Sequence, residues 1–435
     1  MILPNCVKLR YHFIMKVINE YFERLCEHGL YPTRYRVLKK NGIKYKILDE
    51  DTDQMLEVDN FCSNDVLGLA QLDEVRNAAK TAIDRFGASN SSCTFYCGRV
   101  SLHADLEESI SSFKKIPHTH LFLNAWMAVQ ALTDTYCHLA MKLPDYSPKT
   151  RTLIMVDHMS HSCITSAATS AKLGISGQLF PRKDMVVEVK PYRHCDAENL
   201  ALRLKKYASK GDRIMVMTDS VFSMEGTIAP LPEIIEVLSN YEGAVLVCDV
   251  AHSSGVIGKR GGGIYDHFTI DPNHVHERGI EPVTLTTFSK FAGSVGAAIS
   301  SFNKSFTLLL DAARTSSGTA SLSAPLAAAA LASLQYLEQH PELVATLRWN
   351  ANYLRTGLNN EGFEVEGETA ILPVKIGGIP PQDFARKLLY EHGVWVSPVW
   401  YVDKPKLRIM ASVLHTEQDM DTLVESLVMV RQKLA

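Results

Sequence analysis

Lys290 stands in the stretch Thr286-Thr287-Phe288-Ser289-Lys290-Phe291-Ala292-Gly293, about forty residues after Val247-Cys248-Asp249-Val250-Ala251-His252. An amine can form a Schiff base with a carbonyl, and a carboxylate can keep a pyridine nitrogen protonated. Those are the two groups that pyridoxal phosphate (PLP) chemistry asks of a protein. Taken singly, each has a plainer reading, Asp249 as a helix cap and Lys290 as a solvated lysine, which is how most residues of these types behave.

The elements around them bring the two onto one crevice. Ala244 to Cys248 is a short apolar run bounded by Gly243 and Asp249 and reads as a buried parallel strand. Asp249 then falls at its carboxyl end, where open α/β sheets bind ligands. Pro282 to Thr287 reads the same way and leaves Lys290 just past a second strand end. Further short strands, at 121–123, 151–156 and 213–218, alternate with helical patterns, the sign of a parallel sheet with crossover helices. Ser323 to Leu337 is alanine-rich and predicts a helix. Beyond it, strands at 371–376, 394–396 and 407–410 with helices at 381–392 and 416–433 predict a small α+β domain. Upstream, apolar residues at helical spacing over 11–28 and a β-rich stretch from Tyr35 through Phe61 predict an arm of the kind that packs on a partner subunit. The expected division is an N-terminal arm (1–64), a large α/β domain (65–338) and a small C-terminal domain (339–435).

The 435 residues exceed one ordinary core, and 46% apolar with 21% charged residues is a globular balance. A net charge of -3 provides no basic field for nucleic acid, so the expected partners are small molecules. The nine cysteines are scattered and odd in number, which suits reduced thiols in the cytoplasm. No run approaches the roughly 20 apolar residues of a membrane span, and residues 1–16 lack the order of a secretory signal. Cys93 with Cys97, His118 with His120 and His158 with His161 lack the second pair a zinc site needs, and no metal is expected.

Several words of the chain, in order, resemble the α-oxoamine synthase family, a branch of the fold-type I PLP enzymes. Ser63-Asn64-Asp65-Val66-Leu67-Gly68-Leu69 is similar to the family's S-N-D-Y-L-G-L word, Leu102 to Glu107 to L-H-x-x-L-E, and Asp157-His158-Met159-Ser160-His161 to D-x-x-S-H. Thr218 to Gly226 is similar to T-E-x-x-F-S-M-D-G, and Asp249-Val250-Ala251-His252 to D-x-A-H. The resemblance spans about residues 61–430 and implies a mostly parallel central sheet with flanking helices. It implies pyridoxal 5'-phosphate as cofactor, with Lys290 as Schiff-base lysine and proton acceptor, Asp249 on the pyridine nitrogen and His161 over the ring. The plainer reading of His161 is a helix cap. Ser223 and His252 are implied near the phenolic oxygen or the substrate carboxylate, and Thr287 near the phosphate. Ala125 and Trp126 follow Asn124 at the position of the family's S-G-[YF] word, where a helix amino end receives the phosphate. Leu407-Arg408-Ile409 resembles R-L-R, whose second arginine binds the amino acid carboxylate, with Asn64 as a further contact. Thr319 falls where relatives reach the other subunit's cofactor phosphate, which implies a homodimer.

The implied reaction joins an α-amino acid to an acyl thioester, on coenzyme A or a carrier, with loss of carbon dioxide. The alternatives are another fold-type I reaction (aminotransferase, aldolase, or carbon–carbon ligase or lyase) and a catalytically silent partner subunit. The chain departs from the family at Val66, at Ala125, at Ser323-Ala324 in place of two prolines, and most over Phe86 to Gly98. There, Ser, Asn and Thr94 replace a glycine-rich, arginine-bearing word beside the acyl channel.

Overall fold

Short apolar runs become strands and the patterned stretches between them become helices in the computed structural model, which describes residues 4–28, 34–139, 150–174, 185–400 and 404–434, with side chains from residue 15 onward. The first sixteen residues, where the leader reading falls, lie largely outside these described side chains. A helix covers Pro4–Glu27, and its Val17, Ile18, Tyr21 and Phe22 are exposed. Tyr35–Asn41 (β1), Lys44–Asp49 (β2) and Met55–Asn60 (β3) form an antiparallel meander. Its first turn is Gly42-Ile43, between the paired Asn41 and Lys44, with Gly42 at φ 57, the positive φ that a two-residue hairpin loop favours.

The central sheet has the strands His118–Phe122 (β4), Thr150–Asp157 (β5), Met185–Tyr192 (β6), Arg213–Asp219 (β7), Val245–Asp249 (β8), Glu281–Thr287 (β9) and Ala297–Ser301 (β10), in the order β4-β10-β9-β8-β7-β5-β6. β10 runs antiparallel to both of its neighbours, while β9, β8, β7, β5 and β6 pair in parallel. The mostly parallel α/β sheet expected from the alternation is therefore present. β6 and β10 are additions. Ala297-Ala298-Ile299-Ser300-Ser301 is built mainly of small residues and carries little of the branched signal that marks a strand in sequence.

Helices cover both faces, and the side chains divide between them with the period of two that a pleated strand imposes. Ile154, Val156, Met215, Met217, Val245 and Val247 pack with the helices Ala125–His138 and Ser162–Leu173. Leu153, Met155, Ile214, Val216, Leu246 and Cys248 pack on the other side with Ala197–Tyr207 and Leu231–Leu238.

After the helices Ala324–Gln339 and Glu342–Asn360 come Glu364–Val365 (β11), Ile371–Lys375 (β12), Val394–Trp395 (β13), Ser397–Val399 (β14) and Lys406–Met410 (β15). β11, β12, β15 and β14 form an antiparallel sheet backed by Pro381–His392 and Glu417–Leu434. β13 instead pairs in parallel with β3, and Trp395 takes the edges of Tyr35 and Tyr45 at 5.8 and 6.3 Å. The strands of residues 35–60 are thus joined to the C-terminal part of the same chain. Phe61, Val66 and Leu69 share one buried cluster with Ile371, Leu407 and Ile409.

Candidate active site

The alternation that sorts the core also aims the polar strand ends. Asp219 follows Met217 by two, Asp249 follows Val247 by two and Thr287 follows Leu285 by two, so all three project on the face covered by Ala125–His138. Asp219 and Asp249 are also paired in register across β7 and β8. They open into a cavity of about 260 Å³ that Lys290, His161 and His252 line as well. Asp219, Asp249 and Thr287 are no more than 5% exposed, so the polar end of the cavity is sealed from behind.

At one end of the cavity lies the start of the helix Ala125–His138, with Asn124, Ala125 and Trp126 in its lining. The Asn124 side chain accepts the N–H of Met127 at 2.9 Å and leaves the intervening amides of the first turn to a ligand. The hydroxyls of Thr287 and Ser289, 3.0 Å apart, belong to residues that also line the cavity. Gly296 lines it too at φ 127, and a Cβ there would come within 2.8 Å of the Phe288 ring. The Thr287 hydroxyl donates to the Gly296 carbonyl at 3.2 Å.

His161 lines the cavity and caps the helix Ser162–Leu173, its Nδ1 accepting the N–H of Cys163 at 3.2 Å. The cap reading and the cavity reading therefore describe one residue, because the cap is what orients the ring. The backbone N–H of His161 donates to both oxygens of Asp219, at 3.1 and 3.3 Å. Asp219 was not among the residues singled out in the sequence. Its signal was there, a carboxylate closing an apolar strand run one strand away from Asp249.

The charges in the cavity act on one another. Burial pushes the Lys290 ammonium down, against the attraction of Asp249 and Asp219. Burial raises the Asp249 carboxyl, against the attraction of Lys290, and raises Asp219 well above its usual range with the Asp249 charge adding to it. Burial also lowers His161, and it lowers His252 well below the ordinary imidazole value with the Lys290 charge next in size. Two buried carboxylates facing one amine, with burial working against the charged form of each, make a site where a further cation would favour the ionised carboxylates.

Arg408 and Asn64 lie behind this cavity rather than in its lining. Arg408, 7% exposed on β15, donates from Nε to the Ser223 carbonyl at 2.7 Å and from Nη2 to Asn64 Oδ1 at 3.1 Å. Its charge is felt at both Lys290 and His252. Ser223 is thus met through its backbone carbonyl, whereas the resemblance implied its hydroxyl. Thr319 does not line the cavity of its own chain. Its neighbour Ser321 donates to the Gly98 carbonyl at 2.7 Å and accepts from Asn90 at 2.9 Å, which ties the divergent 86–98 loop to this segment.

These residues fit pyridoxal phosphate. A protonated pyridine nitrogen would supply a further positive partner for the buried carboxylates, and the helix amino end with two hydroxyls and a glycine wall suits a phosphate. Residues 57–427 match the family described as aminotransferase class I and II. The 8-amino-7-oxononanoate synthases of Thermosipho melanesiensis and Fervidobacterium nodosum are each 30% identical to the chain, over 427 and 430 residues, with 97% of this chain and 99% of each relative covered. In shape, a serine palmitoyltransferase of Sphingomonas wittichii superposes with a TM-score of 0.79 at 22% identity, over 96% of this chain and 97% of that one. The cavity chemistry and the full-length likeness agree: the chain belongs to the class I and II aminotransferase family, in its α-oxoamine synthase branch.

Proposed function

We propose that the chain is a PLP-dependent acyltransferase that condenses an α-amino acid with an acyl thioester. A carbon–carbon bond forms, the thioester bond and the bond to the amino acid carboxylate break, and an α-amino ketone, carbon dioxide and a free thiol leave. The observation that carries this reading is one cavity holding the Lys290 amine with the buried carboxylate of Asp249, with the Arg408 charge close behind.

Bound in this cavity, the cofactor supplies an electron sink for negative charge at the amino acid's α carbon. Asp249 would hold the pyridine nitrogen protonated, and its burial at the strand end strengthens that interaction. Lys290 takes the proton from the α carbon, and burial, by lowering its basicity, favours the neutral amine this step needs. His161, its ring oriented by the cap and its backbone amide held by Asp219, would pack against the cofactor ring. Ala125, Trp126 and Thr287 would hold the phosphate, and His252 would serve the phenolic oxygen. Arg408 and Asn64, already hydrogen-bonded to each other, orient the substrate carboxylate from the Ser223 side.

The same reading makes the protein a homodimer in which Thr319 serves the neighbouring subunit's site, and it divides the chain at about residues 64 and 338. The described cysteines are all free, which supports a reducing compartment such as the cytoplasm. The test is incubation of the holoenzyme with single amino acids and acyl-coenzyme A thioesters of graded length, following thiol and carbon dioxide release. Stoichiometric release of both supports the condensation. Amino-group loss that depends on a keto acid would instead make the chain an aminotransferase, and failure to bind the cofactor would make it a silent subunit.

A further inference from the structure

On the opposite face of the sheet from the cavity, three side chains of metal-ligand chemistry converge. Asp157 follows Met155 by two on β5, so the pleat turns it away from the side that Asp219 and Asp249 share. His194 and Cys195 come directly after β6, the strand paired with β5. His194 Nδ1 lies 3.2 Å from Asp157 Oδ1, and Cys195 Sγ lies 3.6 Å from His194 Nε2. One ligand atom from each of the three can be chosen so that all lie within 4.8 Å of one another. Metal–ligand lengths of about 2.0–2.3 Å put tetrahedral ligand pairs about 3.3–3.7 Å apart, a contraction on the order of 1 Å that side-chain rotation can supply.

The surroundings favour a cation. Asp157 is 1% exposed, and Cys195 takes a left-handed backbone at φ 50. Its N–H donates to Asp157 Oδ2 at 2.8 Å, which locks thiol and carboxylate together. A divalent ion bound there would take the thiol as thiolate and release its proton to solvent. The Thr227 hydroxyl sits 2.9 Å from His194 Nε2. That contact helps fix the imidazole between Asp157, beside Nδ1, and Cys195, beside Nε2.

We propose that Asp157, His194 and Cys195 form a binding site for a borderline divalent transition-metal ion, with zinc as the best match to one oxygen, one nitrogen and one sulfur ligand. Water completes the coordination. The site sits at the root of the turn that presents His161, since Asp157 Oδ1 also accepts the N–H of Met159 at 2.9 Å and the Asp157 carbonyl that of Ser160 at 3.0 Å. An ion drawing on the Asp157 carboxylate pulls on that turn, so occupancy is coupled to the cofactor face.

The test titrates zinc chloride into tag-free, chelator-treated holoenzyme by calorimetry, in a buffer free of phosphate and strong thiols. The proteins are wild type, Cys195→Ser, His194→Gln and, as a control at an exposed thiol, Cys97→Ser. Circular dichroism verifies the fold of each. The expected result is one zinc per chain for wild type and Cys97→Ser, with affinity at least about tenfold weaker in the other two. Cobalt should give the d–d bands of a tetrahedral site in wild type and Cys97→Ser but in neither of the other two variants. No stoichiometric zinc in wild type, or equal affinity in Cys195→Ser, overturns the site. Zinc should also slow turnover of wild type and spare Cys195→Ser, and equal inhibition of both overturns the coupling. That last arm rests on the catalytic reading, whereas the binding arm stands without it.

Discussion

Two buried lysines lie on opposite sides of the same sheet, and they have different fates. Lys290 shares its cavity with Asp249, Asp219, His161 and a helix amino end. Lys114, 5% exposed, lines a cavity of about 140 Å³ behind the sheet, with Tyr265, Asp266 and Thr284. Its amine donates to the Ser254 hydroxyl at 2.6 Å and the Gly262 carbonyl at 3.0 Å, and it sits 4.9 Å from the Phe113 ring centre. Burial pushes the Lys114 ammonium down to about 7, with Asp266 only partly offsetting it. Desolvation is thus the largest influence on both amines. Making an amine neutral is what burial does anywhere. The chemistry comes from what converges with it: a paired carboxylate, an oriented imidazole and free backbone donors.

Four substitutions break or sharpen this contrast. Lys290→Ala should lower turnover by about 10³–10⁴-fold, the scale of a lost proton-transfer group, and abolish the long-wavelength absorbance of the bound cofactor while the fold persists. Asp249→Asn keeps shape and removes charge, so turnover measured at saturating substrates should fall by about 10²–10³-fold. Arg408→Ala should raise the KM for the amino acid about 10–100-fold and leave the KM for the acyl donor nearly unchanged, as steady-state kinetics would show. Lys114→Met should leave turnover intact, and an activity loss as deep as that of Lys290→Ala would erase the distinction between the two lysines.

The last variant also carries a pH signature. With a folded-state value of about 7 against 10.5 for the ordinary group, the unfolded chain binds more protons than the native one between those limits, so this lysine destabilises the fold progressively as pH falls through that window. The penalty is complete below about pH 7 and absent above about 10.5. Thermal melts should therefore show Lys114→Met gaining roughly 2 °C or more at pH 6 and losing most of that gain by pH 10. A gain independent of pH would assign the effect to packing.

Much of the site was legible because it rests on local rules. An apolar run ending in Asp249 marked the carboxyl end of β8, and the run closing at Thr287 marked that of β9, which placed Asp249 and Lys290 on one crevice. Asn124 before an apolar helix marked the amino end that faces them. Asp219 ends a run of the same kind, yet nothing in its own segment says that its oxygens take the His161 amide. β10 went unread because small residues pack a central strand without the branched signature. The pairing of β3 with β13 joins segments more than three hundred residues apart and leaves no local trace.

By itself the sequence determined most of the element pattern, the parallel core and the strand-end positions of Asp249 and Lys290, since hydrophobic period and strand-end chemistry are written residue by residue. Tertiary structure alone decided which lysine stands among carboxylates and which behind the sheet, that Arg408 backs the cavity through Ser223 and Asn64, and that Asp157, His194 and Cys195 meet. Those facts depend on which strands become neighbours and which face each pleat presents, and long-range packing, not local propensity, settles both.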